Sequence, residues 1–503
     1  MSRAKVAPSS AGGPESIRRN TVFALAVRIL SALFTSGLTL FLVRYLGPTS
    51  YGVFALALSV SGLLAAPADF GVSFSAGRFI AERRSKMTEA AGVLKQALGL
   101  KLVGAGLMAL VLLAAAGPIA RAYGIAELEL PLRIMAAAMF AQSFMTLFLA
   151  SFEALGRNSL AFRLVFSESA IETAASIGLV LAGAGVAGAA VGRVVGYGLG
   201  AILGLLLVLR AMGRPGLRRR ASSGLSVRTI AQYAGVLFLV NAAFVAFAEI
   251  DSLLIGAFLS AQAVGLFSAP LRMLEVTAYP GLALAAGVGP RLARGEGQEP
   301  NVAAFQTGLR LVLIVQFALL APIVVWATPI TQLLFGSGYS ESADVLRALG
   351  PYVVLRGPAP ILAIAVNYLG EARRRVPLAI GALAINAALD VILIPTIGIV
   401  AGAISTNIAS LAFVTGHVMI CRGLIDLQLR PLAKTLARAF LASAAMAGAL
   451  LAFGTSSLTA VEAVAGAVLG LAAYAAVLLA TREVDRAQLR DGWRLVRGAL
   501  PSS

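Results

Sequence analysis

Apolar residues fill this chain in long runs, and the polar ones collect between them in charge clusters and Gly/Pro turns. A membrane-spanning helix needs about 20 mostly apolar residues at 1.5 Å rise each. Cutting at the breaks predicts fourteen such runs, at approximately 21–43, 51–76, 96–120, 130–155, 164–185, 187–212, 230–258, 263–290, 305–333, 343–369, 376–395, 398–422, 436–454 and 459–480. The first break is spelled Gly47-Pro-Thr-Ser-Tyr-Gly52. Gly and Pro stop a helix there, and Gly52 lets the next one start close against it. Gly47, Pro48 and Gly52 are therefore read as structural, with Gly265 repeating the device in the second half of the chain.

Charge tests the count, because a wrong number of spans would scramble its alternation. The N-terminal tail (Arg18, Arg19) and every second loop are basic: Arg78, Arg83, Arg84 and Lys86; Arg157 and Arg163; Arg214, Arg218, Arg219, Arg220 and Arg228; Arg291 and Arg294; Arg373, Arg374 and Arg375; Arg422, Arg430 and Lys434. The C-terminal tail adds Arg486, Arg490, Arg494 and Arg497. The intervening loops are short and hold little positive beyond Arg44, Arg121, Arg133 and Arg347. Basic loops stay on the cytoplasmic side, so both termini are expected there. The tail at 1–20 has no apolar core directly behind its charges, so the first apolar run is expected to be a retained helix and not a cleaved signal.

The chain also repeats itself. The "YLGPTSYGVFA" around Gly52 returns as "FLSAQAVGLFS" around Gly265, and two further Gly landmarks, Gly156/Gly370 and Gly188/Gly402, recur at an offset of 214. Two copies of a six-helix unit follow. Six is even, so the copies enter from the same side and the repeat is parallel. The expected architecture is all-α and polytopic: a cytoplasmic basic tail at 1–20, an N-lobe at 21–212, a basic linker at 213–229, a C-lobe at 230–422, two extra helices within 436–480 and a cytoplasmic tail at 481–503.

Composition agrees with the pattern. The chain is 59% hydrophobic and only 13% charged, which lies outside the range of soluble globular proteins. A formal charge of +18 would point to nucleic acid in a soluble protein, but here it follows the loops and no basic-aromatic binding motif accompanies it. A nucleic-acid partner is not expected. One cysteine, Cys421, and one histidine, His417, exclude an internal disulfide and a His/Cys metal cluster; both are read as lipid-facing or packing residues. The "GAGVAG" at 183–188 has no strand before it and is rejected as a nucleotide site, and no G-x-x-x-x-G-K-[ST] is present. Gly188, Gly192, Gly196, Gly200 and Gly204 recur every four residues and predict a smooth strip for close helix approach.

Charges inside apolar runs carry the candidate chemistry, since each costs about 2.5–3.5 kcal/mol at a helix centre on insertion scales and so faces a cavity or a partner. They are Arg28, Lys101, Glu168, Glu172, Arg193, Glu249, Asp251, Arg272, Glu275, Arg356 and Asp390. Glu168/Glu172 and Arg272/Glu275 are spaced to share helix faces. Acid–base pairing that merely holds the bundle together is an equal alternative for any one of them. Lys101 and Arg193, nearer helix ends, could snorkel. Across the repeat the arginines are not symmetric: Arg28 maps to Asn241, Arg272 to Ser59 and Arg356 to Gln142. Guanidinium groups bind phosphate in bidentate fashion, so an anionic, phosphate-bearing substrate is expected in a cavity lined by Arg28, Arg272, Arg356, Glu275, Glu168 and Glu172.

The stretches "RYLGPTSYGVFALALSVSGLLAAPADFGVSFSAGRFIAE" and "DSLLIGAFLSAQAVGLFSAPLRMLE", with the twelve-plus-two helix plan, resemble the polysaccharide transporter branch of the multidrug/oligosaccharidyl-lipid/polysaccharide exporter superfamily. The resemblance implies a flippase, not an enzyme, that moves a polyprenyl-diphosphate-linked oligosaccharide across a bacterial inner membrane by alternating access, for O-antigen, capsule or exopolysaccharide assembly. It implies the lipid-linked oligosaccharide, the bilayer and glycan polymerase machinery as partners, a chain acting as a monomer, and no cofactor beyond Na⁺ or H⁺ as coupling ion. Lipid II flippases of the superfamily carry cavity arginines on helices one and eight, where Arg28 and Arg272 fall here. Some relatives bind sodium through residues matched here by Asn386, Asp390 and Thr406, with Glu249 or Asp251 as the acid on helix seven. An arginine on helix two is missing, Asp69 being the charge in that run, so lipid II is not the favoured substrate.

The alternatives are an ion-coupled multidrug or metabolite antiporter, a lipid II flippase and, remotely, a membrane glycan polymerase or ligase. Helix one has Arg28 and no acid, against a cation antiporter. The outer loops are too short for the catalytic groups that a polymerase presents.

Overall fold

The computed structural model describes residues 17–212, 224–292 and 300–484. The expected tails and linker therefore lie largely outside the described residues, including Arg214, Arg218, Arg219, Arg220, Arg294, Arg486, Arg490, Arg494 and Arg497. Two compact units divide the chain, Met1–Ala257 and Phe258–Ser503.

In the first unit the helices are α1 (Ile17–Asp69), α2 (Val72–Glu82), α3 (Met87–Tyr123), α4 (Glu129–Ala154), α5 (Asn158–Leu179), α6 (Gly185–Met212) and α7 (Val227–Phe258). The first two apolar runs share α1, which is broken at Gly47 with φ 73° and ψ 172°. Pro48 follows at once, having no N–H to continue the ladder. A second break comes at Phe70 (φ 45°) and Gly71 (φ 71°), where a Cβ on Gly71 would lie 2.4 Å from the Ala234 carbonyl oxygen of α7. Only glycine combines that positive φ with so close a backbone. This approach, with the stacked rings of Phe70 and Phe238 at 5.0 Å, is why α7 groups with the first unit although the repeat starts its second copy at 230.

The second unit comprises α8 (Ala261–Leu274), α9 (Tyr279–Val288), α10 (Val302–Val325), α11 (Ala327–Phe335), α12 (Ser342–Ala348), α13 (Gly350–Arg356), α14 (Pro358–Tyr368), α15 (Arg375–Ile397), α16 (Val400–Leu424), α17 (Leu429–Leu451) and α18 (Ala460–Ala480). Trp326, Phe317, Met446, Leu450 and Tyr474 form the core that seats α17 and α18 against α10.

Among the described residues ten helices are long and apolar enough to cross a membrane, or eleven if one bent pair is a single span. This count neither reaches nor excludes the expected fourteen, because two of the ten helices each hold two of the expected runs. Runs one and two merge in Ala26–Asp69, and runs five and six in Asn158–Met212, where Gly183 (φ 90°) and Gly185 (φ 50°) reverse the chain. The run at 263–290 breaks into α8, a 3-10 turn at Glu275–Ala278 and α9, with Pro270 and Pro280 in the stretch. The run at 343–369 is bent by 48° between Ser342–Ala348 and Gly350–Tyr368, where Gly350–Pro351 opens the second piece. Proline removes a ladder hydrogen bond and clashes with the preceding turn, which kinks helices. The outer faces are apolar: Leu102, Val103, Leu107 and Leu110 on α3 are each more than half exposed. In water such a surface would drive association; lipid tails cover it. This is a multi-pass, all-α membrane protein.

Candidate functional site

The first unit places its buried charges in two networks. In one, Lys101 of α3 is fully buried and bonds the Asp69 carboxylate at the end of α1, with Ser143 of α4 accepting a second hydrogen bond at 3.0 Å. The Ser73 hydroxyl donates to the same carboxylate at 2.6 Å. Lys101 therefore does not snorkel: the break at Phe70–Gly71 leaves Asp69 where the ammonium can reach it.

In the other network, Arg193 of α6 donates to Glu172 of α5 at 2.9 Å and to the Tyr197 hydroxyl at 2.9 Å. Its guanidinium also lies 5.0 Å from the Tyr197 ring centroid, and Gln142 of α4 donates to that hydroxyl at 3.2 Å. Snorkelling is corrected here too, because the carboxylate one helix away is a nearer partner than the interface. Glu168, one turn before Glu172, is 5% exposed and accepts from Ser169 at 2.9 Å. The glycine strip of α6 seats this cluster. A Cβ on Gly192 would fall 2.2 Å from Ser176 Oγ, one on Gly196 2.6 Å from Glu172 Cβ, and one on Gly204 2.7 Å from Phe148.

Arg28 is exposed on α1, and its electrostatic neighbour is Glu153 of α4. Glu249 of α7 accepts from Ser59 at 2.7 Å, and Asp251 is 2% exposed; both belong to the first unit.

The second unit is arranged differently. Arg272, at the end of α8, pairs with Glu275 at 3.1 Å, the two side chains being 31% and 46% exposed. Arg356, at the end of α13, hydrogen-bonds the Tyr352 hydroxyl and lies 5.2 Å from that ring's centroid. Its Nε is buried with no hydrogen-bond partner, and no ion pair joins it among the described residues. Asn386 and Asp390 on α15 are fully buried one turn apart, and Thr406 on the adjacent α16 is 2% exposed. Carboxylate, amide and hydroxyl oxygens are the hard donors a small alkali cation takes. No group of three or more His, Cys, Asp or Glu able to hold a metal occurs among the described residues.

His417 is not lipid-facing: it is buried on α16, where Nε2 accepts from Arg375 at 3.3 Å and Nδ1 lies 2.9 Å from the Phe413 carbonyl. Cys421 is fully buried in the core under α10 and α14. Sequence reasoning missed Tyr197 and Tyr352, although each stands four residues from its arginine, the spacing that brings side chains together on a helix. It also missed Glu483. This residue lies beyond α18 and takes Arg310 Nη2 at 2.7 Å, Arg438 at 2.8 Å and Thr435 at 2.5 Å, tying α10, α17 and the end of α18 together. Burial pushes its carboxyl up, but the hydrogen bonds from Thr435, Arg310 and Arg438 outweigh this and hold it below the usual carboxylate range.

Comparison with known proteins places this geometry. Residues 41–344, more than half the chain, match the family described as polysaccharide biosynthesis protein. Among solved structures, the lipid II flippase MurJ in its inward closed conformation is similar over 93% of this chain and 99% of its own, with 12% identity and a TM-score of 0.72. An inward-facing multidrug resistance MATE family transporter of the MOP superfamily matches over 80% and 98%, with 18% identity and a TM-score of 0.65. An outward-facing one matches over 82% and 97%, with 20% identity and a TM-score of 0.59. At these identities the likeness is one of fold. A search of curated proteins returned no significant match. The chain belongs to the polysaccharide biosynthesis protein family, and it shares the fold of the flippase and transporter structures above.

Proposed function

We propose that the protein is a flippase that moves a polyprenyl-diphosphate-linked oligosaccharide from the cytoplasmic to the outer leaflet of a bacterial inner membrane, with both termini cytoplasmic. It thereby supplies O-antigen, capsule or exopolysaccharide assembly and hands its product to a glycan polymerase. The observation that carries this reading is Arg356. A guanidinium within an apolar span is costly, and this one keeps a buried Nε without a partner and no carboxylate against it among the described residues. A diphosphate oxygen is the group that would complete it, and charge-assisted Arg–phosphate bonds are about twice as strong as neutral ones. Arg272, in the same unit and half-exposed, serves the same anion.

Deleting the gene tests the reading. A polyprenyl-diphosphate oligosaccharide should accumulate on the cytoplasmic leaflet while surface glycan is lost. Unchanged glycan export with a gain in drug sensitivity would instead favour the multidrug antiporter, and accumulation of lipid II the peptidoglycan reading. For coupling, Asn386, Asp390 and Thr406 are assigned to a sodium ion. Asp390→Asn should weaken the sodium dependence of transport, and transport indifferent to sodium in the unaltered chain contradicts the assignment.

A further inference from the structure

Gln316 stands fourteen residues beyond Val302, the first residue of α10, and its side chain is fully buried. At 1.5 Å per residue this is about 21 Å along the helix, well inside a hydrocarbon core about 30 Å thick. A neutral amide at such a depth is costly unless its polar atoms are bonded. Half of this one is: Nε2 donates to the Thr277 carbonyl at 2.6 Å, while Oε1 is buried with no hydrogen-bond partner among the described residues. A methionine of similar length would fill the same space without stranding an acceptor. Packing alone therefore does not explain a glutamine here.

Its neighbours do. The Thr277 carbonyl belongs to the 3-10 turn Glu275–Ala278, which interrupts the span just after Arg272 and begins with its partner Glu275. On its other side the amide meets Gly357, the residue after Arg356, so closely that a Cβ there would lie 2.5 Å from Gln316 Cγ and 2.7 Å from Cδ. The same glycine meets α9: a Cβ on Gly281 would fall 2.9 Å from the Gly357 carbonyl carbon and closer still to its oxygen. Gly350, at the start of α13, rests on α10 in the same way, where a Cβ would come 2.9 Å from Val324 and 3.1 Å from Leu320. Val324, Leu320 and Gln316 are four residues apart and share one face of α10. Between Gly350 and Gly357, α13 lies along that face and also packs on the 3-10 turn.

The seating of α13 matters because Arg356 has little else to hold it. Among the described residues its side chain bonds only Tyr352, on the same seven-residue helix, so the guanidinium goes where α13 goes. Arg272 is tied in turn to the 3-10 turn through Glu275. Gln316 touches both arrangements: it bonds the turn that follows Arg272 and packs on the glycine that follows Arg356.

We infer that Gln316 is a positioning residue that sets the spacing of the Arg272 and Arg356 guanidiniums, and through that spacing the preference for a diphosphate over a monophosphate. A diphosphate presents two anionic groups joined by one bridging oxygen, and two guanidiniums held in register can each take one of them. A monophosphate has a single group, so its binding depends less on how far apart the two arginines stand. Holding both arginines in place before the ligand arrives removes an ordering cost from diphosphate binding. Gln316 itself does not touch the ligand. The inference rests on the flippase reading and adds how the site tells the two forms of a polyprenyl carrier apart.

The test is equilibrium binding of polyprenyl diphosphate and of polyprenyl monophosphate, both without sugar, to the purified full chain in vesicles of zwitterionic lipid. The unaltered chain should prefer the diphosphate, and Gln316→Met should cut that preference about tenfold with no fall in Tm. Gln316→Met combined with Arg356→Gln should bind the diphosphate no more weakly than Arg356→Gln alone, because the glutamine acts through that arginine. Should Gln316→Met fail to fold, Gln316→Asn takes its place in the same cycle, since it keeps the amide but is one carbon too short for the Thr277 carbonyl. An unchanged preference, both ligands weakened alike, or losses that add in the double variant would each overturn the inference. Diphosphate binding weakened in Arg356→Gln but kept in the Gln316 variant overturns the inference and leaves the flippase reading standing. Diphosphate binding unchanged in Arg356→Gln contradicts that reading and takes the inference with it.

Discussion

Two pairs of positions that the expected repeat matches differ in their charge. In the first unit Ser59 and Gln142 are neutral and closed into hydrogen bonds, to Glu249 at 2.7 Å and to Tyr197 at 3.2 Å. Their counterparts in the second unit are Arg272, half-exposed beside Glu275, and Arg356, held by Tyr352 with Nε unpartnered. Each unit has one arginine stacked on a tyrosine four residues away, Arg193 on Tyr197 and Arg356 on Tyr352. Only the first of these also carries a bonded carboxylate, Glu172. Among the described residues, Arg193 in the first unit is met by a carboxylate, while the Nε of Arg356 in the second has no hydrogen-bond partner.

The largest effect comes from erasing that difference. Giving the second unit the first unit's residues, Arg356→Gln with Arg272→Ser, removes charge-assisted contacts worth about 1.5–3 kcal/mol each. Transport of the lipid-linked glycan should fall by roughly 100-fold or more, with membrane insertion intact. Removing the matched neutral side chain of the first unit, Gln142→Ala, which loses one hydrogen bond to Tyr197, should leave transport within a fewfold. Equal losses in both would mean that the asymmetry is incidental.

Stability gives a second, smaller contrast. Lys101→Met strands the Asp69 carboxylate, and removing one partner of a buried pair costs about 3–5 kcal/mol. Arg310→Met in the second unit leaves Glu483 with Arg438 and Thr435, so a loss nearer about 1 kcal/mol is expected. Thermal unfolding in lipid of the two variants side by side measures the gap, and a milder Lys101→Met would contradict it.

The smallest effect is one of pH. Glu483 has its carboxyl held below the ordinary value, so its contribution is fully present above that ordinary value, about 4.3. It is lost as pH falls through the lower folded value. The acid side of the melting profile should therefore be shallower in Glu483→Gln than in the unaltered chain. Parallel profiles would remove Glu483 from the acid response.

How far the sequence reaches differs between scaffold and site. Apolar run length located the helices because lipid demands it, and the four-residue glycine period marked the face of α6 on which α5 lies. Breaks were harder. Prolines such as Pro270 and Pro351 were visible, but whether a span kinks or divides depends on what packs at the gap. At Gly71 that is the Ala234 carbonyl, far away in sequence. Charge partners were hardest. Glu168 and Glu172 announced a shared face, yet Arg193 and Lys101 looked free to snorkel because their acids lie on other helices, 21 and 32 residues away.

The central claim is that this chain moves a diphosphate-linked glycan between leaflets, and the direct measurement is flipping in vesicles. Purified protein is reconstituted with a labelled polyprenyl-diphosphate oligosaccharide, and the label's accessibility to a membrane-impermeant reagent is followed over time. The account predicts rapid exchange between leaflets that is lost in Arg356→Gln with Arg272→Ser. Exchange no faster than in protein-free vesicles, or label that grows longer instead of changing sides, would contradict it.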